Sequence, residues 1–101
     1  MEYTVNTKFF TFSQNNSGGY FIDNDYVSRY LIIEDTNIDE AIRRMHMITM
    51  DYSDYCPCCG RRWSDYAQDN SGSDTPMVWD EEIEPLGNVI IYYYNGTREK
   101  I

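Results

Sequence analysis

Positive charge is scarce in this chain. Eight Lys and Arg stand against seventeen Asp and Glu, a formal net charge of −9 at pH 7. Phosphate contacts need clustered cations, so direct nucleic-acid binding is disfavoured. A basic partner is the complementary expectation. Long apolar runs are also missing. None approaches the ~20 residues of a membrane helix, and no membrane association is expected. Met1-Glu2-Tyr3-Thr4 has no basic stretch leading into an apolar one, so no secretory signal is expected, and the reducing cytoplasm is the expected compartment. Gly18-Gly19 lacks the spacing of a phosphate-binding loop. Aromatic residues, by contrast, are plentiful. Ten Tyr, four Phe and two Trp argue for a packed core rather than a disordered acidic chain. At 101 residues the expectation is a single domain, 1–101.

Cysteine and histidine are few but concentrated. All three cysteines lie in Cys56-Pro57-Cys58-Cys59-Gly60, and the one histidine is His46. The run fits the zinc-knuckle pattern Cys-Pro-x-Cys-Gly, with Cys58 at x. Pro57 fixes φ and removes a donor, while Gly60 permits a left-handed turn. The chain can then curl so that Cys56 and Cys59 face one centre. Zinc takes four ligands, mostly thiolate or imidazole. The closed set is His46, Cys56, Cys58 and Cys59, a structural Zn²⁺ site. Asp51 or Asp54 are alternatives to Cys58, because adjacent Cys58 and Cys59 reach one ion only with strain. The competing readings are three buried, inert thiols and, for His46, a surface histidine favoured by a helix C-terminus. A metal staple suits so small a domain.

The local patterns predict an α+β fold, an antiparallel sheet with one main helix and a zinc-knuckle loop. Residues 3–12 are β-branched and aromatic and read as a strand. After the turn Gln14–Gly19, extended pieces are expected at 20–22 and 26–34. Asn37 and Glu40 form a candidate capping box. Ile38, Ala41, Ile42, Met45 and Ile48 then recur at helical spacing, predicting a helix over 38–50 with Arg43 and Arg44 on or near its outer face. Trp63 is expected to pack over the metal loop as core. Residues 69–76 read as a loop, 77–79 as a short strand and 89–94 as the clearest strand. Asn95-Gly96 predicts a type I′ hairpin, with 97–101 pairing back as a charged edge.

Between Asp65 and Glu84 there are seven acids and no Lys or Arg. A solvated acidic loop is the plain reading. The functional reading is a surface that imitates phosphates for a basic groove, with Asp80, Glu81, Glu82 and Glu84 as the partner-binding acids. No catalytic residue is singled out, and a binding protein rather than an enzyme is expected. A closed Cys₃His site leaves no open metal position. Two alternatives remain. One is another anti-defence binding protein, such as a nucleotide-signal sponge using Arg29, Arg61 and Arg62, or an inhibitor of a different host enzyme. The other is a small zinc hydrolase, should water replace Cys58.

The segment Cys56-Pro57-Cys58-Cys59-Gly60-Arg61-Arg62-Trp63, with strand, strand and helix upstream, resembles small bacteriophage proteins carrying Cys-x-Cys-Cys-Gly-x-Arg-Trp. Among small acidic phage proteins, the chain is similar to type II-A anti-CRISPR proteins of a metal-containing kind. That resemblance implies a non-enzymatic Cas9 inhibitor acting in the bacterial host cytoplasm. Its docking surface would be the basic channel for the guide–target duplex, with the recognition lobe as the larger basic face, so that loading of target DNA is blocked.

Overall fold

A computed structural model describes residues 6–14, 21–50, 55–56, 60–61, 63–64, 67, 70–78, 81–82 and 88–101, with 55–56, 60–61 and 81–82 described by backbone alone. The elements are β1 (Lys8–Ser13), β2 (Tyr30–Asp35), α1 (Ile38–Thr49), β3 (Tyr55–Cys56), β4 (Gly60–Arg61), β5 (Met77–Val78), β6 (Glu81–Glu82), β7 (Val89–Tyr92) and β8 (Arg98–Lys100). The fold is α+β, with one helix and a four-stranded sheet ordered β1-β2-β7-β8. Two-stranded pairs β3–β4 and β5–β6 accompany it.

The sheet is mixed rather than wholly antiparallel. β1–β2 and β7–β8 are antiparallel, but the central pair β2–β7 is parallel, in register Leu31↔Ile90 and Ile32↔Ile91. The physical reason lies in the connection. A helix and a long segment separate β2 from β7, enough chain to return to the same end of the sheet. Leu31-Ile32-Ile33 and Val89-Ile90-Ile91 are buried without alternation, as strands covered on both faces are. Phe10, Phe12, Leu31, Ile33 and Ile90 face α1, where Ala41 and Met45 join them. Ile32, Val89 and Ile91 face the other way and meet Val78 of β5. Trp63 is buried in the helix-side core, as a core residue should be.

Local chemistry explains most element limits. Asn37 Oδ1 accepts from Glu40 N–H at 2.9 Å and starts α1 where the capping residue predicts. The reciprocal half of the capping box is diverted, because the Glu40 carboxylate accepts from Arg43 at 2.6 Å. Of the extended pieces expected at 20–22 and 26–34, residues 21–22 and 26–29 are irregular and the strand begins at Tyr30. Asn24 Oδ1 accepts from the N–H groups of Tyr26 and Val27, an Asx turn that bends this stretch. The buried Gln14 amide then does the work of a missing strand. Its Nε2 donates to the carbonyls of Ile22 and Ser28, both at 3.0 Å, and its Oε1 accepts from Ile22 N–H.

The last hairpin also departs from the type I′ form. Gly96 has φ +93°, whereas Asn95 is not in the left-handed region. Gly96 N–H donates to Tyr93 O at 3.1 Å, and Tyr93 N–H donates to Thr97 O at 2.8 Å. This is a type I turn closed by a glycine bulge. Asn95 Oδ1 accepts from Thr97 N–H at 2.9 Å, which holds Asn95 in the turn without a positive φ.

Arg44 corrects another expectation. It does not lie on the outer face of α1. Its guanidinium donates to Glu34 O at 2.7 Å, to Asp35 Oδ2 at 3.1 Å and to Tyr93 O at 3.2 Å. The helix is thereby tied to the ends of both parallel strands. Asp35 has only 6 % of its side chain exposed. Removing Arg44 leaves that carboxylate nearly buried and unpaired. Arg44→Ala is expected to cost about 2–3 kcal/mol in urea unfolding, and Arg44→Lys to recover only part, because one ammonium cannot span three such acceptors. Gly72 is the second sensitive point. It has φ +77°, and a Cβ there would sit 2.5 Å from Lys8 Cβ and 3.1 Å from the Phe10 ring. Gly72→Ala should lose at least about 1–2 kcal/mol by the same measurement, from the left-handed backbone alone.

Candidate functional site

The cysteine-rich run sits on a hairpin. β3 and β4 pair antiparallel in the register Tyr55↔Arg61 and Cys56↔Gly60. Three residues, 57–59, separate the paired ends and lie outside the described residues. Cys58 and Cys59, with the alternatives Asp51 and Asp54, lie outside the described residues, and for Cys56 only the backbone is described. His46 is exposed in the last turn of α1. Among the described residues no three of His, Cys, Asp and Glu come close enough to hold a metal. The cysteine side chains are not among those groups, so the proposed ligand set stands on the knuckle spacing and the hairpin register.

Within the acid-rich segment, β5 packs on the face of the sheet opposite α1. β5 and β6 pair antiparallel, Met77↔Glu82 and Val78↔Glu81. Val78 is buried against Ile32 and Ile91, and Thr11 Oγ1 donates to Met77 O at 2.6 Å. Upstream, Phe9 and Ser73 exchange two backbone hydrogen bonds at 2.8 and 2.9 Å, so the segment runs against the outer edge of β1. Asp74 is exposed and pairs with Lys8, whose ammonium holds its carboxyl below the usual range through a hydrogen bond and charge. Of the four predicted contact acids, Glu81 and Glu82 form β6, described by backbone alone, and Asp80 and Glu84 lie outside the described residues.

Two further groupings escaped the sequence reading. The first is an open depression of about 700 Å³ at the carboxyl ends of β2 and β7, lined by Asp35, Thr36, Asn37, Glu40, Arg43, Arg44 and Tyr94. Its charges pair internally. Arg44 binds Asp35, and Arg43 binds Glu40, which raises the Arg43 pKa. Ligands of open α/β sheets favour this position beyond the strand ends. Only the parallel pairing of β2 and β7 could have revealed it in advance. The second is a set of stacked arginines. Arg29 lies over Phe21 and Tyr30, and Arg98 over Tyr26 and Tyr92, with centroid distances of 4.7–6.0 Å. Of the cations suggested for a nucleotide pocket, Arg29 is thus engaged with aromatic rings, Arg61 lies in β4 and Arg62 lies outside the described residues.

The metal reading has a direct test. Elemental analysis of the chain purified without chelator should give about one zinc per chain if one knuckle makes one site. Cys56→Ser should abolish that stoichiometry and lower the unfolding midpoint, because binding energy in such sites is folding energy. Full stability with no metal present would remove zinc from the architecture.

No curated protein and no solved structure matches this chain. One family profile does, the Domain of unknown function (DUF7296), over residues 7–101. That span takes in every described strand and the described helix, from β1 to the end of β8, and the chain belongs to this family.

Proposed function

We propose that this protein is a non-enzymatic inhibitor that binds the Cas9 of a bacterial host through an acidic surface and blocks loading of target DNA. Zinc held by the β3–β4 hairpin, with His46, Cys56, Cys58 and Cys59 as its ligands, serves as a structural staple in this reading. The observation that carries it is the seating of the acid-rich segment. The β5–β6 pair is anchored by Val78 in the core and by the Thr11–Met77 hydrogen bond, at 2.6 Å. Acids on an anchored pair lose less conformational entropy on docking than acids on a free loop. A net charge of −9 adds long-range attraction to a cationic groove. The identity of the partner rests on the resemblance of the Cys56–Trp63 segment to phage inhibitors. The antiparallel register Cys56↔Gly60 supports the zinc part, because it supplies the chain reversal a knuckle needs.

The test is target-DNA binding by guide-loaded Cas9 with and without saturating inhibitor. DNA binding should fall to background. Reversing Asp80, Glu81, Glu82 and Glu84 to Lys should weaken the complex at least tenfold at low salt, with a smaller loss at high salt, because rim charges are screened. Unchanged DNA binding at saturation would remove the DNA-loading mechanism. Failure of a pull-down to retain Cas9 would remove the partner.

A further inference from the structure

The turn of α1 that ends the helix carries methionines that the proposed function leaves unused. Met45-His46-Met47-Ile48-Thr49-Met50 holds three of the five methionines of the chain. Packing accounts for half of the run. Met45 is fully buried, Ile48 packs on the same core, and the buried Thr49 returns its hydroxyl to Met45 O at 2.8 Å. The other three residues face water. Met47 is 67 % exposed, Met50 72 %, and His46 is exposed with them. Outer helix positions normally carry charged side chains, and two thioethers there gain nothing from burial.

We propose that Met47, Met50 and His46 form a binding site for a soft monovalent ion, Cu(I). At 100° per residue the three side chains lie within one arc of about 100°, with Met50 between His46 and Met47. Neighbours at i,i+3 and i,i+4 have Cβ atoms about 5–6 Å apart, within reach of convergence for unbranched methionine side chains. The donor set is two neutral sulfurs and one imidazole. Thioether sulfur selects Cu(I), whereas carboxylate and carbonyl oxygen suit Mg²⁺ and Ca²⁺. Arg43, one turn earlier on the same helix, is held by Glu40 at 2.6 Å, and the acidic body attracts a cation to the surface. The site goes beyond the zinc reading and shares only His46 with it. Zinc draws on the thiolates and the monovalent ion on the thioethers, so loss of the sulfur ligands of one leaves those of the other, and only His46 couples the two.

The test uses the full chain with its thiols alkylated and its fold checked by circular dichroism, and Ag(I) as a redox-stable probe of the Cu(I) site. One equivalent should shift the ¹³C-methyl signals of Met47 and Met50 and the ring signals of His46, leaving buried Met45 unmoved. Met47→Leu with Met50→Leu keeps the exposed apolar surface, removes both sulfurs, and should lower Ag(I) affinity at least tenfold. His46→Gln should cause a smaller loss. If alkylation unfolds the chain, the unmodified protein with its thiols saturated gives the same methyl readout. Unmoved Met47 and Met50 signals, or unchanged affinity in the double Leu variant, would overturn the site.

Discussion

One guanidinium joins the three parts of this fold that share no continuous stretch of chain. Arg44 projects from α1 and reaches the last carbonyl before the end of β2, the carboxylate that ends β2, and the carbonyl just past β7. Parallel strands bring their terminal carbonyls to one end of the sheet, and Tyr93 O there accepts from Gly96 N–H in the β7–β8 turn as well as from Arg44. A single planar donor group engages both strand ends at one point and aligns the helix axis with the sheet. The depression beyond the strand ends exists because those three acceptors are gathered there. Its charge is balanced internally for the same reason.

The rest of the molecule is attached to this frame by side chains rather than by further sheet. Gln14 holds the 22–28 loop with three hydrogen bonds from one amide. Thr11 holds the start of β5, and Ser73 pairs with Phe9 along the edge of β1. β1 is thus an edge strand only in the order of the sheet. Its outer side is occupied by the loop that leads into the acid-rich pair. Gly72 lets that loop pass directly over Lys8 and Phe10. The positioning of the candidate acidic surface therefore depends on a missing side chain as well as on the Lys8–Asp74 ion pair beside it.

How much of this was legible in the sequence depends on the range of the interaction. The helix was read to within a residue, because Asn37 and the apolar spacing from Ile38 to Ile48 act locally. β7 was read from its composition, and the hairpin after it from Asn95-Gly96. The turn type was misjudged because the Asn95 side chain satisfies Thr97 and keeps Asn95 out of the left-handed region. The parallel pairing was overlooked, although its trace was present. Leu31-Ile32-Ile33 and Val89-Ile90-Ile91 do not alternate, which marks strands covered on both faces. The role of Arg44 had no local trace at all. Its acceptors include the carbonyl of Tyr93, forty-nine positions away. The knuckle spacing predicts a curled loop, and the short antiparallel pair Cys56↔Gly60 is a finding of the structure that this spacing did not announce.

The rim of the sheet at β8 has a consequence for self-association. With β1 covered by the 73 loop, β8 is the open margin among the described strands, only three residues long and composed of Arg98, Glu99 and Lys100. Two copies meeting there head to tail about Glu99 would set Glu99 against Glu99 and Arg98 against Lys100, like charge on like charge. Fibril-like stacking in that register is thus penalised at the first contact.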